Sequence, residues 1–126
     1  MLDINTALVL MALLQTKHMV ADFYLQTPRM LADRRLYIHR GRALHCLIHA
    51  AGSALACLLV GLPFILLCAV ASLDWALHYH IDFGKGLWSA RAGDTPDDAS
   101  YWRAFGADQL LHQLTYVALV WGAAQF

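Results

Sequence analysis

Four pairs of metal-capable side chains, each spaced by four residues, punctuate this sequence: His18/Asp22, His45/His49, His78/Asp82 and Asp108/His112. On a helix that spacing is slightly more than one turn, so both members share a face, about 6 Å apart along the axis. Imidazole and carboxylate without thiolate suit Zn²⁺, Mn²⁺ or Fe²⁺ rather than Cu(I) or an iron–sulfur cluster, and zinc is the first expectation. Five histidines and three aspartates exceed the three or four protein ligands of one tetrahedral ion. They match two ions about 3.5–4 Å apart, or one ion whose imidazoles are held by outer carboxylates. Two metal-free readings compete: interhelical hydrogen-bond glue and a proton relay. Each accounts for one or two pairs better than for four. If the site is catalytic, Asp22, Asp82 and Asp108 are the candidate proton acceptors, because the chain contains no Glu.

Elements of a particular kind must carry these pairs. The 126 residues are 60% hydrophobic and 14% charged, with no net charge, whereas charged residues make up about 25% of a soluble domain. No charged residue falls between Arg42 and Asp74, and Gly61-Leu62-Pro63 interrupts that run. A membrane crossing takes about 20 apolar residues, so the run predicts two spans joined by a tight turn. Ala7–Leu25 before it and Leu110–Phe126 after it supply two more. The first segment lacks a basic start and carries Lys17, His18 and Asp22, so it reads as a retained span, not a signal peptide. A soluble bundle would need a polar stripe on each helix, and Leu55–Val70 has none. The expected fold is all-α: a single domain over 1–126, an integral membrane four-helix bundle running up-down-up-down.

Orientation follows from the basic residues. Arg29, Arg34, Arg35, Arg40 and Arg42 lie between spans one and two; Lys85, Arg91 and Arg103 lie between spans three and four. The positive-inside rule makes that side cytoplasmic and puts both termini outside, facing the periplasm if the host is Gram-negative. The pairs fall near the ends of the inward spans one and three, and near the starts of the outward spans two and four. All four therefore meet at one depth, just inside the cytoplasmic boundary. Spacing alone does not require that agreement.

Neighbouring residues have two readings each. Asp74 extends the His78/Asp82 face and either orients His78 or pairs with Lys17 across helices. Gln26 continues the His18/Asp22 face toward a ligand, or simply wets a helix end before Pro28. Arg42, Lys85 and Arg103 could hold an anionic head group, although the positive-inside rule alone explains basic residues there. His39 reads as a loop residue, and His80 points away from His78. Cys46, Cys57 and Cys68 form no metal or disulfide pattern and read as packing residues. The tryptophans cluster near span ends, as an aromatic belt does. Thr95-Pro96-Asp97-Asp98 predicts a helix start with Thr95 as N-cap, giving a short interfacial helix before span four.

The strings His18-Met-Val-Ala-Asp22-Phe-Tyr-Leu-Gln26, His45-Cys-Leu-Ile-His49, His78-Tyr-His-Ile-Asp82-Phe-Gly-Lys85 and Asp108-Gln109-Leu-Leu-His112 resemble the motifs of the bacterial membrane family catalogued as domain of unknown function 3307. The resemblance runs along nearly the whole chain and implies a small multi-span protein, without an activity. More loosely, the layout is similar to membrane-bound metal-dependent hydrolases with His and Asp on neighbouring spans, a likeness of architecture alone.

Three functions fit. A metal-dependent hydrolase, surrounded by membrane lipids, would act on an anionic amphiphilic or phosphorylated substrate that enters from the cytoplasmic leaflet. A structural metal site would brace an adaptor whose loops bind a partner. A metal-ion or proton transporter would need a path across the outer half, where polar residues are few, and an oligomer could supply one. Balanced charge argues against nucleic acid as a partner.

Overall fold

The computed structural model describes residues 2–126, in which all regular structure is helical. α1 spans Ile4–Val20 and runs on through a π-helical turn, Ala21–Leu25; α2 is the single turn Pro28–Leu31; α3 spans Arg40–Leu59, α4 Phe64–Ala92 and α5 Ala99–Ala123. Local chemistry sets these limits. Asp3 caps α1, accepting from the N–H groups of Asn5 at 2.9 Å and Thr6 at 3.1 Å, which would otherwise lack partners. Gly61, at φ +75°, makes the turn from α3 into Pro63 and α4. Gly93, at φ +65°, ends α4 in the left-handed conformation that glycine adopts without strain.

Three helical segments, Ile4–Leu25, Arg40–Leu59 and Phe64–Ala92, are long and apolar enough to cross a membrane. α5 is 25 residues long, but Arg103, Asp108, Gln109, His112 and Gln113 dilute its apolar content. The expected interfacial helix does not form as a separate element. Asp98, not Thr95, takes the N-cap position of α5, and the helix passes through Gly106 without interruption. The Asp98 carboxylate turns back on Thr95, accepting from its N–H at 2.8 Å and its hydroxyl at 3.0 Å. Those bonds hold the Asp98 carboxyl below its ordinary range. Thr95–Asp98 is thus a closed turn, and Trp102 packs back on it by donating from Nε1 to the Pro96 carbonyl at 2.7 Å.

α1 packs against α3 and α5, and α4 packs against the same two helices. The four long helices therefore form a ring with α1 diagonal to α4. One end of the ring interior is apolar, built on Leu10, Leu14, Cys57, Val70, Tyr116 and Leu119. The rest of the interior is polar: His18, His45, His49, Ser53, Asp74, His78, Asp108 and His112 are all buried. Leu8, Leu47, Leu58, Phe64, Leu114, Val117 and Trp121 face outward and are exposed. Polar groups inside and an apolar belt outside invert the soluble arrangement and suit a lipid surround. Three apolar helices and this inversion mark the chain as a membrane protein.

Candidate metal centre

Each helix of the ring delivers one pair to the same interior volume. Asp22 sits at the start of the π-helical turn, where the extra residue per turn redirects a side chain relative to α-helical register. Its Oδ1 lies 3.2 Å from His45 Nε2 and 3.0 Å from His49 Nε2; its Oδ2 lies 3.1 Å from His18 Nε2. Gln109 Nε2 donates to the same Oδ2 at 3.3 Å. Asp22 thus joins groups from α1, α3 and α5. Asp82 is a looser second hub, with Oδ1 3.3 Å from His112 Nε2 and Oδ2 3.7 Å from both His45 Nε2 and His78 Nε2. Asp108 completes the far side, Oδ1 at 3.6 Å from His112 Nε2 and Oδ2 accepting from Lys85 Nζ at 3.0 Å. All eight side chains identified from spacing come together.

Three sets of donors each lie within 4.8 Å of one another: Asp22/His45/His49/His78, His18/His78/His112 and Asp82/Asp108/His112. His78 belongs to two of these and sits at the centre. Its ring lies 3.7 Å from that of His49 and 4.0 Å from that of His112, centroid to centroid. It is 1% exposed, yet neither of its ring nitrogens has a hydrogen-bond partner. His45 Nδ1, Asp108 Oδ1 and His112 Nε2 are likewise buried without partners. Buried polar atoms are ordinarily satisfied, and each orphan costs about 1–3 kcal/mol. All five belong to residues of the three donor sets, four of them on His78, His112 and Asp108.

An outer layer orients the donors. Tyr116 Oη lies 2.9 Å from His18 Nδ1, and Gln109 Oε1 lies 3.2 Å from His18 Nε2. Lys17 Nζ donates to Asp74 Oδ2 at 2.6 Å and lies 3.3 Å from His49 Nδ1. Ser53 donates to the same Asp74 oxygen at 2.6 Å. Of the two readings open for Asp74, pairing with Lys17 is the one found. Gly52 makes room for it, since a Cβ there would stand 3.2 Å from Lys17 Cδ.

Three sequence expectations take other roles. Gln26 is half-buried and follows the last helical residue in extended conformation, so it does not carry the His18/Asp22 face further. Gln109 does that work instead. Arg42 is 2% exposed and does not reach out toward a head group. Its guanidinium donates to the carbonyls of Arg34, Leu36 and Tyr37 and lies 5.0 Å from the Tyr79 ring centroid, pinning the loop before α3. His39 caps α3, its Nδ1 accepting from the Arg42 N–H at 2.9 Å. His80 faces away from the cluster, bonded through its ring nitrogens to the Ala76 carbonyl and the Tyr37 hydroxyl. Cys46, Cys57 and Cys68 are free thiols. Trp75 stacks on Tyr79 and donates to the Ala43 carbonyl at 3.2 Å, so it joins α3 to α4, whereas Trp88, Trp102 and Trp121 are exposed.

Lys85 keeps a place beside the cluster and also lines a groove between α4 and α5. The family model described as protein of unknown function (DUF3307) matches residues 9–125, so the chain belongs to that family. No curated protein and no solved structure matches it.

Proposed function

We propose that this DUF3307 protein is a membrane-embedded, metal-dependent hydrolase. In this reading all four long helices cross the membrane and the centre lies near its cytoplasmic face. Both termini are outside the cytoplasm, a placement that the grouping of basic residues supports. The observation that carries the metal reading is the central ring. His78 is buried with both nitrogens unpartnered, between two imidazoles and amid five further donors. A proton relay needs continuous hydrogen bonds, and His78 makes none that could pass a proton through it. Interhelical glue also needs bonds made, and five buried atoms make none. A divalent cation, Zn²⁺ first and Mn²⁺ or Fe²⁺ next, satisfies imidazole nitrogens and carboxylate oxygens together.

Bound there, such an ion acidifies a water and polarises a phosphoryl or acyl oxygen. The chain's own residues supply the rest. Asp22 is occupied by three imidazoles and Gln109, and Asp108 pairs with Lys85. Among the described residues Asp82 has no Lys or Arg partner, and its nearest ion-pair contact is 3.3 Å away. It is the carboxylate free to take the proton as the water oxygen bonds to phosphorus or carbon. Asp82 then returns that proton to the departing oxygen as its bond to phosphorus or carbon breaks. The groove reaching Asp108 favours catalysis over a sealed structural ion, because a structural site closes its coordination sphere.

Metal content of the purified protein tests this, comparing wild type with His45→Ala/His49→Ala and His78→Ala/Asp82→Ala, each checked for helicity. One equivalent in wild type, rising toward two when a phosphate monoester is added, and none in either variant, are expected. A folded wild type that takes up no Zn, Mn or Fe on reconstitution ends the hydrolase reading. Reporter fusions after Gln125 test the topology: activity of an exported alkaline phosphatase, and no fluorescence from an exported green fluorescent protein, are expected.

A further inference from the structure

The packing of α4 on α5 leaves an open groove beside it. The groove, of about 770 Å³, is lined by Ile81, Gly84, Lys85, Trp88, Arg103 and Asp108, and its size falls within the roughly 300–1,000 Å³ of small-molecule sites. Gly84 opens it: a Cβ at that position would meet nothing within 4 Å. Most of the lining is apolar, and the polar groups are few and specific. Arg103 is exposed and has no acidic partner among the described residues. Lys85 Nζ lies 4.6 Å from the Phe105 ring centroid and 3.0 Å from Asp108 Oδ2. The Asp108 side chain is 6% exposed, and its Oδ1 is unpartnered. Asp108 also belongs to the donor set with Asp82 and His112. The groove therefore runs from an apolar outer surface to the edge of the proposed centre.

We infer that this groove holds a single-chain amphiphile bearing a terminal phosphate, with the chain over Gly84 and Trp88 and the phosphate between Lys85 and Arg103. The inference rests on the metal reading, since a cation beside Asp108 offsets that carboxylate's repulsion of an anionic head. Charge complementarity selects an anion, and the apolar lining selects an alkyl chain. Phosphate is favoured over carboxylate by geometry. Its three terminal oxygens can meet Lys85, Arg103 and the centre at once, where a carboxylate has only two. Trp88, 59% exposed, has the amphipathic character of residues at a membrane interface, where such a molecule would enter sideways.

The test uses the metal-reconstituted full chain in zwitterionic nanodiscs and a chain-brominated dodecyl phosphate, whose bromine quenches nearby tryptophan. Saturable quenching is expected, largely lost in Trp88→Phe. Arg103→Gln should bind roughly tenfold more weakly, as for loss of one charge-assisted hydrogen bond. Gly84→Leu, whose Cβ would meet nothing within 4 Å, puts its side chain into the groove and should abolish binding while keeping helicity and metal content. Bromododecanol and inorganic phosphate should each compete poorly. Wild-type binding by Gly84→Leu overturns the groove. Inorganic phosphate competing as well as the alkyl phosphate shows a free-phosphate site and overturns the amphiphile. Full metal content with no alkyl phosphate bound refutes this inference and leaves the metal centre standing. Alkyl phosphate bound by protein that takes up no metal refutes the centre instead, and absence of both refutes the two together.

Discussion

Removing the charge of Lys17 should cost more than removing both charges of the pair it forms. Its ammonium has three acceptors for three protons: Asp74 Oδ2 at 2.6 Å, the His49 carbonyl at 3.2 Å and His49 Nδ1 at 3.3 Å. Asp74 is 1% exposed and has only Ser53 besides. Lys17→Met leaves that carboxylate buried and uncompensated, and Asp74→Leu does the same to the ammonium; each should lose about 3–5 kcal/mol. Lys17→Met/Asp74→Leu removes the pair and should stand within about 1 kcal/mol of wild type, as apolar replacements of buried ion pairs often do. Metal affinity should behave differently. The ammonium makes His49 Nδ1 an acceptor, so the ring proton sits on Nε2, facing Asp22 Oδ1 at 3.0 Å. Every variant lacking Lys17 lets the ring proton move to Nδ1 and leaves Nε2 its lone pair, so each should bind metal at least as tightly as wild type, the double variant included. Reversible denaturation in mixed micelles reads stability, and competition with a chelator reads affinity. A single variant within about 1 kcal/mol of wild type would show the pair to be hydrated, against the burial of Asp74. A double variant as unstable as the two singles combined would refute the compensation argument.

Gly86 and Gly84 should respond oppositely to alanine. A Cβ on Gly86 would stand 2.6 Å from the Arg34 carbonyl oxygen, so Gly86→Ala should cost about 1–3 kcal/mol, while Gly84→Ala should gain up to about 1 kcal/mol of helix propensity; thermal unfolding in detergent separates them. Tyr116→Phe removes the hydroxyl 2.9 Å from His18 Nδ1 and should weaken metal binding about tenfold while keeping the ring packed, and an unchanged chelator titration would contradict that. Asp98 is held low by the Thr95 N–H and then by its hydroxyl. Its folded pKa is below its unfolded one, so the turn is fully held above the ordinary aspartate range and released as pH falls through the folded value. Thr95→Ala should raise the carboxyl titration midpoint seen by NMR, and an unmoved midpoint would reject the assignment. Finally, alkyl phosphate should tighten the second metal equivalent and leave the first nearly unchanged, as read by calorimetry.

The site was more legible in the sequence than the devices around it, and the reason is periodicity. A four-residue repeat survives any detail of packing, so His18/Asp22, His45/His49, His78/Asp82 and Asp108/His112 declare a face before the helices are placed. The same repeat extended by one step reaches Ser53 from His49 and Tyr116 from His112, and both prove to be hydrogen-bonded in the outer layer. That signal was present and could have found them. Gln109 had none, lying one residue off the Asp108/His112 face and reaching Asp22 only through the length of its side chain. Arg42 misleads for a different reason. Its place near a basic loop suggests the mouth of a site, but the loop folds back and presents three carbonyls to it, a tertiary event with no local pattern. Thr95-Pro96 misleads because Asp98 competes for the Thr95 N–H and closes a turn where helix chemistry alone predicts a first turn.

Charge decides how many ions such a donor set can keep. Asp22, Asp82 and Asp108 contribute three negative charges, Lys85 returns one positive charge at 3.0 Å from Asp108, and Lys17 cancels Asp74 at 2.6 Å. One divalent ion therefore brings the cluster to neutrality, and a second leaves it with two uncompensated positive charges. In a buried site with little water to solvate them, such charges are costly unless paired. A phosphate monoester dianion would cancel them, and an approach along the groove past Arg103 and Lys85 would bring it beside Asp108. The second ion and the anion then stabilise one another, and by linkage each tightens the other by the same factor. A purely structural ion has no such dependence, because the cluster with one ion is already neutral and gains nothing from an added anion. For these residues, the difference between a structural pin and a hydrolytic centre is whether the second ion needs the substrate's charge to stay.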